Sequence, residues 1–491
     1  MGKFYITTAI DYVNAVPHIG HALEKLQADV LARYHRSRGD ETWFLTGTDE
    51  HGAKIARAAE AAEKKPEVFT NETSEKFAAL KEVLNLSFDD FIRTTDEKRH
   101  FPGVELMWKK LVASGDIYKK KYRGLYCVGH EAFVTQKDLV DGKCADHEKE
   151  PEVVEEENYF FKLSKYSEEI GKRIRSGEFQ IVPEGRKNEI LSLIRSGLED
   201  VSFSRPRKDL SWGIPVPRDP EHTIYVWADA LTNYLSAIGY GRNEEYAKWW
   251  PADVQVVGKD ILRFHAAIWP GMLLSARLPL PKTLFVHGFI TADGRKMSKT
   301  IGNVVDPAAL VEKYGTDAVR YYLLREIPSG EDGDYSEKKF KERYNTDLAN
   351  GIGNFISRTY QLAHMFQAGS DEKIIEKDVQ FKAEATAHLV DEKIQEFKLN
   401  EALEAIMDFI RFGDGYVNKT EPWKLPLSDA SKVTWNLIFI AEKVSELLMP
   451  FLPGTADEIA KKVETMKNPT YADGKFGNPK IPPKPLFPRL L

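Results

Sequence analysis

The chain has 491 residues, which at about 100 to 200 residues per domain points to three or four folded units rather than one core. With 42% hydrophobic and 29% charged residues, and no apolar run near the roughly 18 residues a membrane span needs, the composition excludes a disordered, collagen-like or membrane-spanning chain. A net charge of -6 argues against indiscriminate coating of nucleic acid, although local basic runs at 119–123 and 205–208 leave selective RNA binding open.

From the N-terminus, Phe4 to Thr8 reads as a buried strand entered at once, with no room for a leader, which predicts a cytoplasmic protein. Leu23, Leu26, Val30 and Tyr34 recur at helical spacing and Thr42 to Thr46 is a second strand, so the segment forms a βαβ unit of a parallel sheet. Residues 116–218 change character, with short β-like pieces, both cysteines and an acidic run at 148–157, and read as an insertion. Val254 to Val257 and Leu284 to Ile290 resume the strand grammar around a helical stretch at 264–274. Beyond about residue 335, Thr346 to Phe366, Leu399 to Tyr416 and Ala430 to Leu448 predict an α-bundle, followed by a proline-rich tail. The fold class expected is α/β: a Rossmann-type doubly wound sheet (1–115 and 219–290) carrying an inserted domain (116–218). A loop region (291–345) and an α-helical C-terminal bundle (346–491) follow.

Two motifs carry chemistry. Pro17-His18-Ile19-Gly20-His21 falls between the first strand and the first helix, where backbone amides and imidazoles can face phosphate oxygens. Gly20 leaves room where a Cβ would intrude. Gly294-Arg295-Lys296-Met297-Ser298-Lys299-Thr300 follows a later strand, and its lysines suit a polyphosphate. Taken singly, the first motif could equally cap a helix and the second could be a solvated basic loop. The pair, about 275 residues apart on one sheet grammar, favours a nucleotide site.

These motifs, HIGH and KMSKT, resemble the signatures of the class I aminoacyl-tRNA synthetases. Tyr12-Val13-Asn14, residues 45–52 (LTGTDEHG), residues 225–230 (YVWADA) and Gly258-Lys259-Asp260-Ile261 are closest to the methionine-activating branch of that family. The likeness runs from about Phe4 to Pro453. It implies a methionine pocket of Ile10, Tyr12, Trp227, Ala230, Tyr234, Phe264 and His265, with Asp49 on the α-ammonium. Aromatic walls suit a thioether, and a carboxylate suits an ammonium. It further implies that ATP, with Mg²⁺ bridging its phosphates, meets His18, Gly20, His21, Asp260, Lys296 and Lys299, and that the product is methionyl-tRNA(Met), initiator tRNA included. His18, His21, Lys296 and Lys299 are the residues assigned to catalysis.

Cys127-x2-His130 and Cys144-x2-His147, thirteen residues apart, supply the four ligands of a closed structural zinc site within the insertion. Relatives usually have four cysteines or three and one histidine here, so His130 is a departure; two buried reduced cysteines with exposed histidines is the competing reading. Thr300 also departs, from serine, and Asp11 from an aromatic residue. In the helical part, Asn354, Arg358, Pro422 and Trp423 match the family's anticodon-reading positions. Read alone, Trp423 would be a helix-end core residue and Arg358 a surface charge.

Isoleucyl, valyl and leucyl relatives carry an editing insertion too large for about 100 residues, and a cysteinyl relative would need a pocket cysteine near the first strand. A nucleotidylyltransferase would not need the helical block, and a non-catalytic RNA-binding paralogue would not need both lysines and both histidines. A chain ending at Leu491, without the appended domain through which many relatives dimerise, predicts a monomer.

Overall fold

The computed structural model describes residues 2–128, 132–134, 139–144, 148–297, 302–366, 374–467 and 484–490. The backbone divides into two compact units: residues 1–17, 35–81 and 87–287, and residues 18–34, 82–86 and 288–491.

The first unit is built on seven strands in chain order: β1 (Lys3–Thr8), β2 (Asp11–Tyr12), β3 (Glu41–Asp49), β4 (Asp90–Arg93), β5 (Gln180–Val182), β6 (Val254–Gly258) and β7 (Thr283–His287). They are arranged β5-β7-β6-β1-β3-β2, with β4 also on β3, and every pairing is parallel. Parallel strands covered on both faces read as continuous apolar runs, and Tyr5, Ile6, Phe44, Leu45, Val256 and Val257 are all buried. Between β2 and β3 the chain forms helix α1 (Ile19–Ser37), whose Leu23, Leu26, Val30 and Tyr34 are buried as their spacing predicts. The chain leaves β1 toward β3 on one side and β6 on the other, so the carboxyl ends of these three strands form the switch point where such sheets bind ligands.

Three strands lie outside those the sequence predicts: β2, β4 and β5. Gln180–Val182 falls within the range read as an insertion, yet pairs in parallel with β7 and forms an edge of the main sheet. At two to four residues, none of the three has a pattern long enough to separate it from its surroundings. The rest of the 116–218 stretch includes a long antiparallel pair, Ile117–Cys127 with Glu152–Phe161. Its register sets Lys121 opposite Glu157 and Arg123 opposite Glu155, so the basic run is offset by the acidic run read separately in the sequence.

The expected strand 284–290 ends at His287; Ile290–Ala292 instead starts a small sheet of the second unit, pairing with Arg295–Lys296 and Gly333–Tyr335. Asp293 and Gly294, both at positive φ, make the two-residue hairpin turn. The helical part comprises α3 (Thr316–Glu326), α4 (Asn354–Met365), α5 (Lys377–Gln395), α6 (Leu399–Thr420), α7 (Leu427–Leu448) and α8 (Pro453–Lys467), while α2 (Val226–Ala230) belongs to the first unit. Within the bundle, α5 packs on α6, α6 on α7, α7 on α8, and α4 on α7. No helix among the described residues is long and apolar enough to cross a membrane.

Candidate active site

In the first unit, the predicted amino-acid pocket residues gather at the carboxyl ends of β1, β3 and β6. Ile10 and Tyr12 follow β1 and are half-buried against the main core, and Asp49 closes β3 and is buried. On α2 and the turn after it lie Trp227, Ala230 and Tyr234. After β6, Phe264 and His265 open a π-helical turn, Phe264–Ile268, a wider turn that often marks functional sites.

The rings make a defined wall. Trp227 stacks on Phe264 with centroids 3.8 Å apart and planes 10° apart, and meets His265 edge-on at 6.3 Å. The hydroxyl of Tyr234 lies 2.7 Å from His265 Nε2, and His265 Nδ1 lies 3.0 Å from the Ile261 carbonyl. A carbonyl only accepts, so Nδ1 holds the proton and Nε2 accepts from Tyr234. Burial pushes the His265 imidazole down to about 4, which keeps it neutral at physiological pH. The Tyr5 hydroxyl on β1 donates to the Tyr234 carbonyl at 2.8 Å, anchoring that wall to the sheet. Asp260 is exposed on the short turn after β6. A Cβ on Gly258 would stand 2.7 Å from its Oδ1, so glycine is needed there for the carboxylate's position.

In the second unit, His18 and His21 lie with rings 3.9 Å apart at the start of α1. Gly20 N–H donates to His18 Nδ1 and His18 N–H donates to His21 Nδ1, each at 3.0 Å. Both neutral rings therefore carry their proton on Nε2, as donors suited to an anionic oxygen. Gly20 serves this arrangement in a way the sequence did not reveal: a Cβ there would come within 2.8 Å of His18 Cε1, so the intruded-upon group is the histidine itself. The amide of Ile19 donates to the carbonyl of Val305 at 3.1 Å, tying the HIGH turn to the segment after the basic loop. Lys296 is exposed at the end of its hairpin, whose turn is held by Asp334: its carboxylate accepts from Thr291 Oγ1 at 2.6 Å and Gly294 N–H at 2.7 Å. Lys299 lies outside the described residues.

At the helical end, Trp423 is 51% exposed on the turn Pro422–Lys424, which removes the reading as a core residue, while Pro422 is buried. Asn354 is exposed at the start of α4, and Arg358 one turn on donates to Asp414 at 3.1 Å and Asn418 at 2.9 Å on α6. Arg358 is thus a held guanidinium rather than a loose surface charge. In the first unit, Cys127 and Cys144 are both buried in one small cluster with Val134. His130 and His147 lie outside the described residues. Among the described residues no group of three or more candidate ligands is assembled.

Asp229, which is not among the site residues the sequence predicts, is buried between His51 and His100 at 2.7 Å from each. Asp229 and His51 stood inside the motif blocks, but nothing in a sequence pairs residues so far apart.

A family profile for class I tRNA synthetases of the methionine type (M) matches residues 4–145 and 132–360, and one for the anticodon-binding domain of tRNA ligases matches residues 377–480. The methionine–tRNA ligase of Thermotoga maritima is 42% identical over 99% of this chain and 80% of its own length. That of Brucella melitensis is 40% identical over 100% and 98%. A structure of Mycobacterium tuberculosis methionyl-tRNA synthetase in complex with methionyl-adenylate superposes with a TM-score of 0.90 at 38% identity, covering all of both chains. With profiles across both parts of the chain and relatives matched nearly end to end, the chain belongs to the methionine–tRNA ligases, a family of class I tRNA synthetases.

Proposed function

We infer that the protein activates L-methionine with ATP and transfers it to the 3′-terminal adenosine of tRNA(Met), initiator tRNA included. The observation that carries this is the stacked Trp227–Phe264 wall beside the Tyr234–His265 pair, an apolar, uncharged surface suited to a thioether. Ile10, Tyr12 and Ala230 complete the lining, and Asp49 takes the α-ammonium.

In the first step a methionine carboxylate oxygen bonds to the α-phosphorus of ATP as the α–β bridging bond breaks. Methionyl-adenylate forms and pyrophosphate leaves. No protein nucleophile is required; positioning and charge stabilisation supply the rate. His18 and His21 present Nε2–H donors to the phosphates, Asp260 accepts from the ribose, and Lys296 and Lys299 neutralise the pyrophosphate as it departs. Mg²⁺ arriving with ATP would offset phosphate charge alongside Lys296 and Lys299. In the second step the terminal 2′-hydroxyl of tRNA attacks the methionyl carbonyl and AMP leaves. Asn354, Arg358, Pro422 and Trp423 serve the anticodon, with the exposed indole as a stacking platform.

Cys127 and Cys144, buried together, fit two of the four positions of a zinc site completed by His130 and His147. A zinc ion there would cross-link the insertion's short strands and take no part in catalysis. The domain scheme, with a catalytic sheet whose edge strand β5 comes from within the 116–218 range, the remainder of that range as an insertion, a loop region and a helical bundle, accompanies this reading, as do a monomeric state and a cytoplasmic location. Amino-acid-dependent ATP–pyrophosphate exchange tests the function: methionine alone should stimulate it strongly, and comparable stimulation by isoleucine or cysteine would overturn the assignment.

A further inference from the structure

Asp229 has no place in the scheme above, yet it is a fully buried carboxylate with both oxygens engaged by imidazoles. Its Oδ2 lies 2.7 Å from Nδ1 of His51 and its Oδ1 2.7 Å from Nε2 of His100, while His100 Nδ1 is 2.7 Å from the Ser236 hydroxyl. Burial pushes this carboxyl up, but the two imidazoles outweigh it and hold it below the usual carboxylate range, so it stays ionised and accepts from both rings. Such bonds to a charged group in a dry site are short and directional, and they fix the elements that carry them.

Those elements carry opposite ends of the amino-acid pocket. His51 stands two residues after Asp49 at the end of β3, and Asp229 stands on α2 two residues after Trp227 and next to Ala230. His100 approaches from a third direction, at the start of the helix Phe101–Ala113. We propose that Asp229, clamped by His51 and His100, is a positioning residue that sets the register between the carboxylate receiving the substrate ammonium and the aromatic wall receiving its side chain. The proposal rests on the methionine reading above. It requires Asp229 to touch no substrate atom and to act only through the spacing of Asp49 and Trp227.

A ligand held at both ends reports that spacing, whereas one held only at the side chain does not. The test measures binding of methionine and of its desamino analogue 4-(methylthio)butanoate to the full chain, in wild type, Asp229→Ala and the isosteric Asp229→Asn. In wild type, methionine should bind more tightly, because only it offers an ammonium to Asp49. Loss of the clamp should weaken methionine by about tenfold or more and the analogue by less than about twofold, collapsing the preference. The Asn variant keeps the buried volume and retains the readout where the Ala variant is too unstable to fold. Equal weakening of both ligands, or no change in either, would overturn the positioning role while leaving the methionine reading intact. Wild-type protein that binds no methionine would overturn that reading, and this inference with it.

Discussion

Tyr234 donates its hydroxyl proton to His265 Nε2 at 2.7 Å, and the Ile261 carbonyl, 3.0 Å from Nδ1, fixes the ring's tautomer. This wall is therefore polar in its bonds but uncharged, which suits the thioether proposed to lie against it. Protonating His265 would make Nε2 a donor, so that the Tyr234 hydroxyl would have to turn and accept, and would place a charge in a buried site.

This has a pH consequence. Burial lowers His265 to about 4, well below the ordinary histidine value near 6.5, so the unfolded chain binds this proton more readily than the folded one. The stability associated with the neutral ring is fully present above about pH 6.5 and is lost as pH falls from 6.5 toward 4. His265→Gln should flatten that acid-side decline by up to about 3 kcal/mol, read by urea unfolding between pH 4 and 7. Parallel wild-type and variant curves in that window would show that the ring is not held neutral.

Arg320 is fully buried on α3 and makes contacts in every direction. It donates to the carbonyls of Phe451 at 2.7 Å, Leu84 at 3.0 Å and Pro450 at 3.2 Å, and pairs with the buried Asp29 of α1 at 2.8 Å. Asp29 keeps a second partner in Arg33 at 2.8 Å, so Arg320→Ala costs chiefly the buried carbonyls it leaves without a donor and the cavity it opens, and should destabilise the second unit by about 2 to 5 kcal/mol. Thermal or urea unfolding checks this. A loss below about 1 kcal/mol would mean the site admits water, as at exposed pairs.

Zinc content tests the Cys127 and Cys144 pair. Protein purified without chelator should carry one zinc per chain, and Cys144→Ser should lose it and lower the melting temperature, because binding energy at such a site is folding energy. Aminoacylation should fall further than methionine activation. Absence of zinc from the wild-type protein by elemental analysis would refute the site.

How far the sequence could be read follows from the range of each signal. The βαβ start, α1 and the long helices rest on periodicity within one segment, and Leu23, Leu26, Val30 and Tyr34 are buried accordingly. The pocket rings were nameable from the family likeness, but their bonds were not: the Tyr234–His265 and Asp229–His51 contacts join distant stretches of chain. The π-helical turn at Phe264–Ile268 leaves no trace in helical spacing, and β5 is too short to separate from its surroundings. Gly20 was recognised as a place of close approach, yet the atom it makes room for belongs to His18.

That last geometry gives a test of the nucleotide end set against the anticodon end. Gly20→Ala would place a methyl carbon 2.8 Å from His18 Cε1 and 3.0 Å from Nδ1, which the ring can relieve only by leaving its bond to the Gly20 amide. If each histidine donor is worth what a typical preorganised donor contributes, about 2.7 to 4 kcal/mol, ATP–pyrophosphate exchange should fall by roughly two to three orders of magnitude. Trp423, half-exposed on its turn, predicts the opposite pattern. Loss of one stacked base should cost about 1 to 3 kcal/mol in tRNA use, measured as aminoacylation at a fixed salt concentration. If Trp423→Ala depresses exchange as much as aminoacylation while the bundle stays folded, the indole is not an anticodon platform. If Gly20→Ala leaves exchange intact, the paired imidazoles at the start of α1 do not bear on the phosphates.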